Sequence, residues 1–171
     1  MRKFALSAIV CALALSMLGC TAAPTGLALV DTKSAVQLLR NETASRVPAD
    51  ILLSIVKSED GSAACDAGDP LRYWRSSVTL NISAQRASEA RQVFSDAVDG
   101  YEAEGWHAGS VGDREAVLTS DDSIATIDIL VTEDADRDGD GAAIRILVTG
   151  PCIMTDGENS DEVTGLEEAP D

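Results

Sequence analysis

The sequence predicts an α+β fold, a two-layer sandwich in which an antiparallel sheet carries two helices on one face. Two observations predict it. Several short segments alternate apolar and polar residues, the period of a half-buried strand, and two longer segments space their apolar residues as a helix does. These segments follow the order α, β, β, α, β, β, β, β. We take residues 31–153 as one domain, long enough to bury an ordinary core.

The first helix is predicted to begin at Asp31 or Thr32, because either side chain can cap it, and to end before Pro48. Its apolar face comprises Ala35, Val36, Leu38, Leu39, Thr43 and Val47. A strand follows over Ile51–Lys57, a dense apolar segment that ends at the turn signal Glu59-Asp60-Gly61. A short helix is the alternative at this point, since Pro48-Ala49-Asp50 can open one.

After a loop over Asp66–Pro70, strict alternation predicts the second strand. Its inward residues are Trp74, Ser76, Val78, Leu80 and Ile82. Ser83 caps the second helix, and Gly105 ends it in a left-handed conformation. Trp106 should then fold back onto Tyr101, as the hydrophobic contact that accompanies such a cap.

The remaining strands are predicted as two hairpins followed by a tail. The first hairpin spans Val111–Thr119 around Gly112-Asp113, and the second pairs Ala125–Val131 with Ile144–Val148. Beyond them, residues 154–171 contain seven acidic residues and no basic one. This composition is typical of a disordered acidic tail.

The N-terminus has the pattern of an export signal. Arg2 and Lys3 precede Phe4–Leu18, a run without a charged residue. A helix that spans a bilayer needs about 20 apolar residues, and this run is shorter. We therefore predict that residues 1–19 are a signal peptide that is cleaved off.

The end of this signal, Met17-Leu18-Gly19-Cys20, resembles the lipobox of bacterial lipoproteins, in which a small residue precedes a cysteine that receives diacylglycerol. The family pattern usually has leucine first and a small residue second, and Met17-Leu18 departs from it. The resemblance implies that Cys20 is the lipidated first residue of the mature protein. Residues 20–30 would then be a tether to the extracytoplasmic face of the cell membrane. An ordinary secretory signal that leaves Cys20 as a free thiol is the alternative.

Two further cysteines remain in an oxidising compartment once the signal, with Cys11, is removed and Cys20 carries lipid. They are Cys65 and Cys152, and we predict a disulfide between them. The alternative is a catalytic or metal-binding thiol, but neither cysteine belongs to a CxxC motif or a cysteine–histidine cluster.

The charge of the chain restricts its partners. The formal charge is −16, and removal of residues 1–19 makes it −18, because that segment contains Arg2, Lys3 and no acidic residue. Such a charge argues against nucleic acid as a partner and against adsorption onto anionic lipid, except through a covalent anchor. It suits a cationic partner or an envelope protein, although charge of this kind also simply opposes aggregation. The acidic, alanine-rich and histidine-poor composition resembles that of small actinobacterial secreted lipoproteins.

An acidic turn between the last two strands is the one candidate metal site. Carboxylates alternate at Asp134, Asp136, Asp138 and Asp140. The first three, with Gly139, resemble the first half of an EF-hand calcium loop. However, Gly141 stands at the aliphatic position and Arg145 at the place of the bidentate glutamate. We expect an exposed hairpin turn without a metal, and weak calcium binding is the alternative.

The sequence contains no recognisable catalytic motif. The only histidine, His107, follows Trp106 without a nucleophile nearby. We therefore expect a non-enzymatic binding or interaction module of the cell envelope, without a cofactor. A small hydrolase that uses carboxylates alone is the alternative, and a deep pocket with two converging carboxylates of perturbed pKa would favour it.

Overall fold

The computed structural model describes residues 26–66, 70–133 and 141–168. They form an α+β fold in which helices pack on one face of an antiparallel sheet, as the sequence predicts. The helices and strands are α1 Leu29–Ser45, β1 Leu52–Ala64, β2 Leu71–Ile82, α2 Ala90–Ala103, β3 His107–Val111, β4 Glu115–Thr119, β5 Thr126–Glu133, β6 Ala142–Thr149, β7 Ile153–Met154 and α3 Asp161–Glu168. Short 3-10 helices at Ala49–Ile51 and Ala84–Glu89 precede β1 and α2.

The described strands form one sheet of seven strands in the order β1-β2-β6-β5-β4-β3, and β7 pairs with the beginning of β2. All the pairings are antiparallel. The pairing of β2 with β6 joins the β1–β2 hairpin to the meander of β3 to β6. The edges of the sheet are therefore β1 and β3.

The core lies on the face of the sheet that the helices cover. Val78 of β2, Ile146 of β6 and Ile129 of β5 lie opposite one another in register, and all three are buried. Alternate residues on each strand continue this face, because side chains along a strand point to opposite sides in turn. Burial of these side chains supplies the main force that holds the two layers together.

Two helices cover this face. The first, α1, packs over β2 and β6, and α2 packs over β3 to β6. A buried hydrogen bond of 2.7 Å joins the hydroxyl groups of Thr43 on α1 and Tyr101 on α2. At the end of α2, Gly105 has a φ of +91°, and the rings of Trp106 and Tyr101 meet edge to face with centroids 5.2 Å apart. The predicted helix stop and its aromatic contact are both confirmed.

The two ends of the sheet carry different features. At one end lie the start of α1, Gly150 and the bonded pair Cys65 and Cys152, and we call it the disulfide end. At the other end lie the β3–β4 turn and Leu52 at the beginning of β1, and we call it the hairpin end. The described chain thus enters at one end and begins its first strand at the other.

The first strand differs from its prediction. Both readings of this segment occur in succession, because a 3-10 helix over Ala49–Ile51 leads into β1. The predicted turn at Glu59-Asp60-Gly61 is wrong, since β1 runs through it to Ala64. The reason lies in tertiary contacts: Asp60 pairs with Ser76 of β2 and turns its carboxylate towards α1.

The C-terminal segment also departs from its prediction as a disordered tail. Met154 ends β7, and the chain then forms α3, on which Val163 is fully buried in the core. The ammonium group of Lys33 on α1 donates a hydrogen bond of 2.8 Å to the carbonyl oxygen of Leu166. An acidic segment can pack here because Val163 and Leu166, three residues apart, lie on the same side of a short helix.

Gly150 permits the close approach of α1 to the sheet. A Cβ atom at this position would lie 2.3 Å from Cγ2 of buried Thr32 and 3.2 Å from Cγ2 of Val36. Gly150→Ala is therefore expected to lower the free energy of unfolding by about 1 to 3 kcal/mol, the usual cost of overpacking. Gly61→Ala, whose Cβ meets nothing within 4 Å, is the matched control. Urea denaturation checks both, and equal midpoints would contradict this packing.

Candidate binding surfaces

The structure brings together only part of the sites predicted from sequence. Cys65 and Cys152 are joined by a disulfide, as predicted. Cys20 and the acidic turn Asp134–Asp140 lie outside the described residues. Within the described ranges, no three residues among histidine, cysteine, aspartate and glutamate are placed to hold a metal ion together. His107 begins β3 and is exposed.

The disulfide fastens the C-terminal segment to the sheet. It joins the loop after β1 to the short connection between β6 and β7, with Cα atoms 6.2 Å apart. The amide of Cys65 donates a hydrogen bond of 2.9 Å to the carbonyl oxygen of Leu71, so the loop also pairs with β2. The bond spans 87 positions of sequence, and the loss of chain entropy in the unfolded state contributes about 4 to 5 kcal/mol to stability.

A buried polar cluster lies between α1 and the β1–β2 hairpin, and sequence reasoning missed it. Its centre is Asp60, which accepts hydrogen bonds of 2.6 Å from the indole nitrogen of Trp74 and 2.7 Å from the amide nitrogen of Gln37. The guanidinium group of Arg40 lies 3.5 Å from the same carboxylate, and both side chains are largely buried. The cluster links one helix to two strands, so its role is structural.

The hairpin end carries three exposed apolar side chains on one strand of the sheet. Leu53, Ile55 and Val56 of β1 are 72%, 63% and 49% exposed. In the sequence, these residues belong to an apolar segment, Ile51–Val56, that only Ser54 interrupts, which is typical of a strand with apolar side chains on both faces. The apolar pattern alone fits either a buried or an exposed strand. These side chains are exposed because β1 lies at the edge of the sheet.

A cleft at the same end separates α2 from the β3–β4 turn. Its volume is about 440 Å³, within the range of small-ligand pockets, and its lining includes the buried Phe94 and Val98. Arg91 and Asp113 line it as well. Arg91 is not a free cation, because its guanidinium group binds both carboxylate oxygens of Glu133 at 2.5 and 2.6 Å. This pairing lowers the pKa of Glu133.

The opposite face of the sheet carries one perturbed carboxylate. Asp128 lies between Val117 of β4 and Leu147 of β6. Burial raises the pKa of its carboxyl above the ordinary value, the negative charge of Glu115 raises it further, and the positive charge of Arg145 opposes both. Glu115 is exposed and the helices pack on the other face, so this pair of carboxylates lies on an open surface.

Comparison with known proteins adds no assignment. No known protein family, no curated protein and no solved structure matches this chain. Within the described residues, no helix is both long enough and apolar enough to cross a membrane.

Asp60 and Glu59 are neighbours whose charges have different environments, and this allows a matched test. Asp60→Asn leaves the largely buried Arg40 without its counter-ion and is expected to cost about 2 to 4 kcal/mol of stability. Glu59→Gln removes only an exposed ion pair with Arg75 and is expected to cost about 0.5 kcal/mol or less. Urea denaturation at neutral pH measures both changes. A loss for Asp60→Asn no larger than that for Glu59→Gln would contradict the assignment.

Asp128→Asn is expected to flatten the pH dependence of stability. A raised native pKa means that the native state binds this proton more tightly than the unfolded chain. The group therefore lowers stability as the pH rises from the ordinary value of 3.8 through the raised native value. The variant should lose less stability than the wild type over that window. Asp122→Asn, in the exposed β4–β5 turn, is the control. The urea denaturation midpoint of each variant is measured across this pH range. If the midpoint of Asp128→Asn depends on pH as steeply as that of the wild type, the raised pKa of Asp128 is contradicted.

Proposed function

We propose that this protein is a lipid-anchored binding module on the extracytoplasmic face of the cell membrane, and that it presents the hairpin end of its domain to a partner. The observation that carries this proposal is the arrangement of the two ends. The chain enters α1 at the disulfide end, whereas the exposed apolar residues of β1 lie at the hairpin end. A domain held by its N-terminus would therefore present these residues away from its anchor.

The anchor is assigned to Cys20, at the end of a basic-then-apolar signal. Two acyl chains on one cysteine give stable membrane attachment, whereas one chain gives only marginal binding. At roughly 3.3 to 3.6 Å per residue, the chain between Cys20 and Leu29 spans about 30 Å at most. The disulfide end of the domain would thus remain close to the bilayer.

The surface itself supports a binding role. Isolated exposed apolar residues are normal on proteins, but clusters of them mark sites of interaction. Leu53, Ile55 and Val56 lie within four consecutive positions of one edge strand, so they gather exposed apolar surface around that edge. The charge of −18 after removal of the signal favours a cationic partner and opposes contact of the domain with anionic lipid.

The hydrolase alternative has one observation on its side, the raised pKa of Asp128. Catalysis by carboxylates requires two of them to converge around a substrate in an enclosed site. Asp128 and Glu115 instead lie on the open face of the sheet, and Glu115 is exposed to water. This geometry favours the binding role.

Cys20→Ala is expected to move the protein from the membrane fraction to the soluble or unprocessed precursor fraction, because its acyl chains supply the membrane affinity. Cys11→Ala changes a cysteine within the predicted signal and should leave the distribution unchanged. Fractionation of cells followed by mass measurement checks both variants. A Cys20→Ala protein that remains on the membrane at mature length would refute the anchor.

A further inference from the structure

The N-terminal half of β1 is uncovered on three sides. Ile55 lies opposite Leu80 of β2, on the helix face, and Val56 lies opposite Thr79, on the other face. Both are exposed, so neither face of the strand is covered at this point. The third side is the outer edge, because among the described strands β1 pairs with β2 alone.

The other half of the same strand is covered. The hydroxyl of Ser62 donates a hydrogen bond of 2.7 Å to the carboxylate of Glu167 on α3, and Asp60 lies beneath α1. Edge strands present unpaired amide and carbonyl groups, and proteins commonly protect them with helices, bulges or charges. In β1 the register shifts between Leu52 and Ser54 and again between Lys57 and Glu59. The regular open edge is therefore Ser54–Lys57.

The chemistry of this edge defines its occupant. Unpaired backbone groups in a row accept an extended chain, which adds one strand to the sheet. Side chains of that strand would meet Ile55 on one face and Val56 on the other, so apolar residues suit it on both faces. Asp50 and Glu59 lie on either side of the segment, and both carboxylates are exposed. Basic residues near the ends of the added strand would complement them.

A second copy of this chain fits less well than another protein. A symmetric antiparallel pair centred on the apolar residues 53–56 would bring Asp50 of each copy near Glu59 of the other. Asp50 forms an ion pair with Arg86, and Glu59 forms one with Arg75. Arg86 also pairs with Glu89, so it neutralises Asp50 only in part. Like charges opposite each other destabilise a strand pair, and each copy also carries a large negative charge.

The geometry points to Ser54–Lys57 as a docking edge for an extended segment of another protein, with apolar residues at its centre and lysine or arginine at its ends. This inference names the partner of the binding role proposed above and rests on that role. It does not depend on the lipid anchor, so a failure of the Cys20→Ala prediction and a failure of the docking edge can be told apart.

The test uses the full chain, purified in detergent, and a short synthetic peptide of alternating valine and isoleucine, apolar on both faces, with two lysines at each end. Hydrogen exchange followed by mass spectrometry locates the contact, and calorimetry measures the affinity. We expect the peptide to slow amide exchange within residues 52–58. Ile55→Thr combined with Val56→Thr, which keeps β-branched residues in the strand, should weaken binding about tenfold. Leu38→Ala, which removes an equally exposed apolar side chain from α1, should leave the affinity unchanged.

Two altered peptides separate edge pairing from simple adhesion. A peptide with glutamates at its ends should bind more weakly, and one with methyl groups on alternate backbone nitrogens should lose binding. Equal binding of all three peptides, or slowed exchange elsewhere on the domain, would overturn the proposal. So would a concentration-dependent protection of residues 52–58 without peptide, since this would show that a second copy occupies the edge. Protection of the same residues by phosphatidylcholine vesicles alone would assign the segment to lipid and overturn it as well.

Discussion

The placement of α1 on the sheet depends on the buried carboxylate of Asp60. A charged group withdrawn from water is costly unless hydrogen bonds and opposite charges replace the lost hydration. Asp60 receives these from Trp74 on β2 and from Gln37 and Arg40 on α1. Because these donors lie on two different elements, the carboxylate makes these contacts together only when α1 lies across the β1–β2 hairpin. One side chain thus helps to fix the position of α1 on the sheet.

Other close contacts at the disulfide end follow from that placement. With α1 in position, Thr32 lies against Gly150, where no Cβ atom fits, and Lys33 reaches the end of α3. The disulfide holds the start of the C-terminal segment beside the same region. These contacts cover the second half of β1 and leave its first half free. One strand therefore has a half that is packed into the domain and a half that is open, and the proposed binding surface adjoins the contacts that hold α1 and α3.

The sequence predicts the parts of this structure that depend on local patterns. The alternation in β2, β5 and β6 and the stop at Gly105 reflect the period of a strand and the conformational freedom of glycine, so both were predictable. The burial of Asp60 was not, because its partners Gln37 and Arg40 lie far away in sequence, and glutamate, aspartate and glycine in a row locally favour a turn. Helix α3 escaped prediction for the same reason, since Val163 packs only after the chain has folded back. Of the candidate sites, cysteine counting predicted the disulfide, whereas the open edge of β1 depends on the strand order, which no local pattern encodes.

A double-mutant cycle between Arg40 and Asp60 tests most directly whether Asp60 couples α1 to the sheet. Stabilities of the wild type, Arg40→Met, Asp60→Asn and the double variant would be measured by urea denaturation at one pH. Since both side chains are largely buried and each single variant already breaks their ion pair, we predict that the double variant loses less than the sum of the two, by at least about 1 kcal/mol. Additive losses would show that the two side chains act independently and would contradict this account.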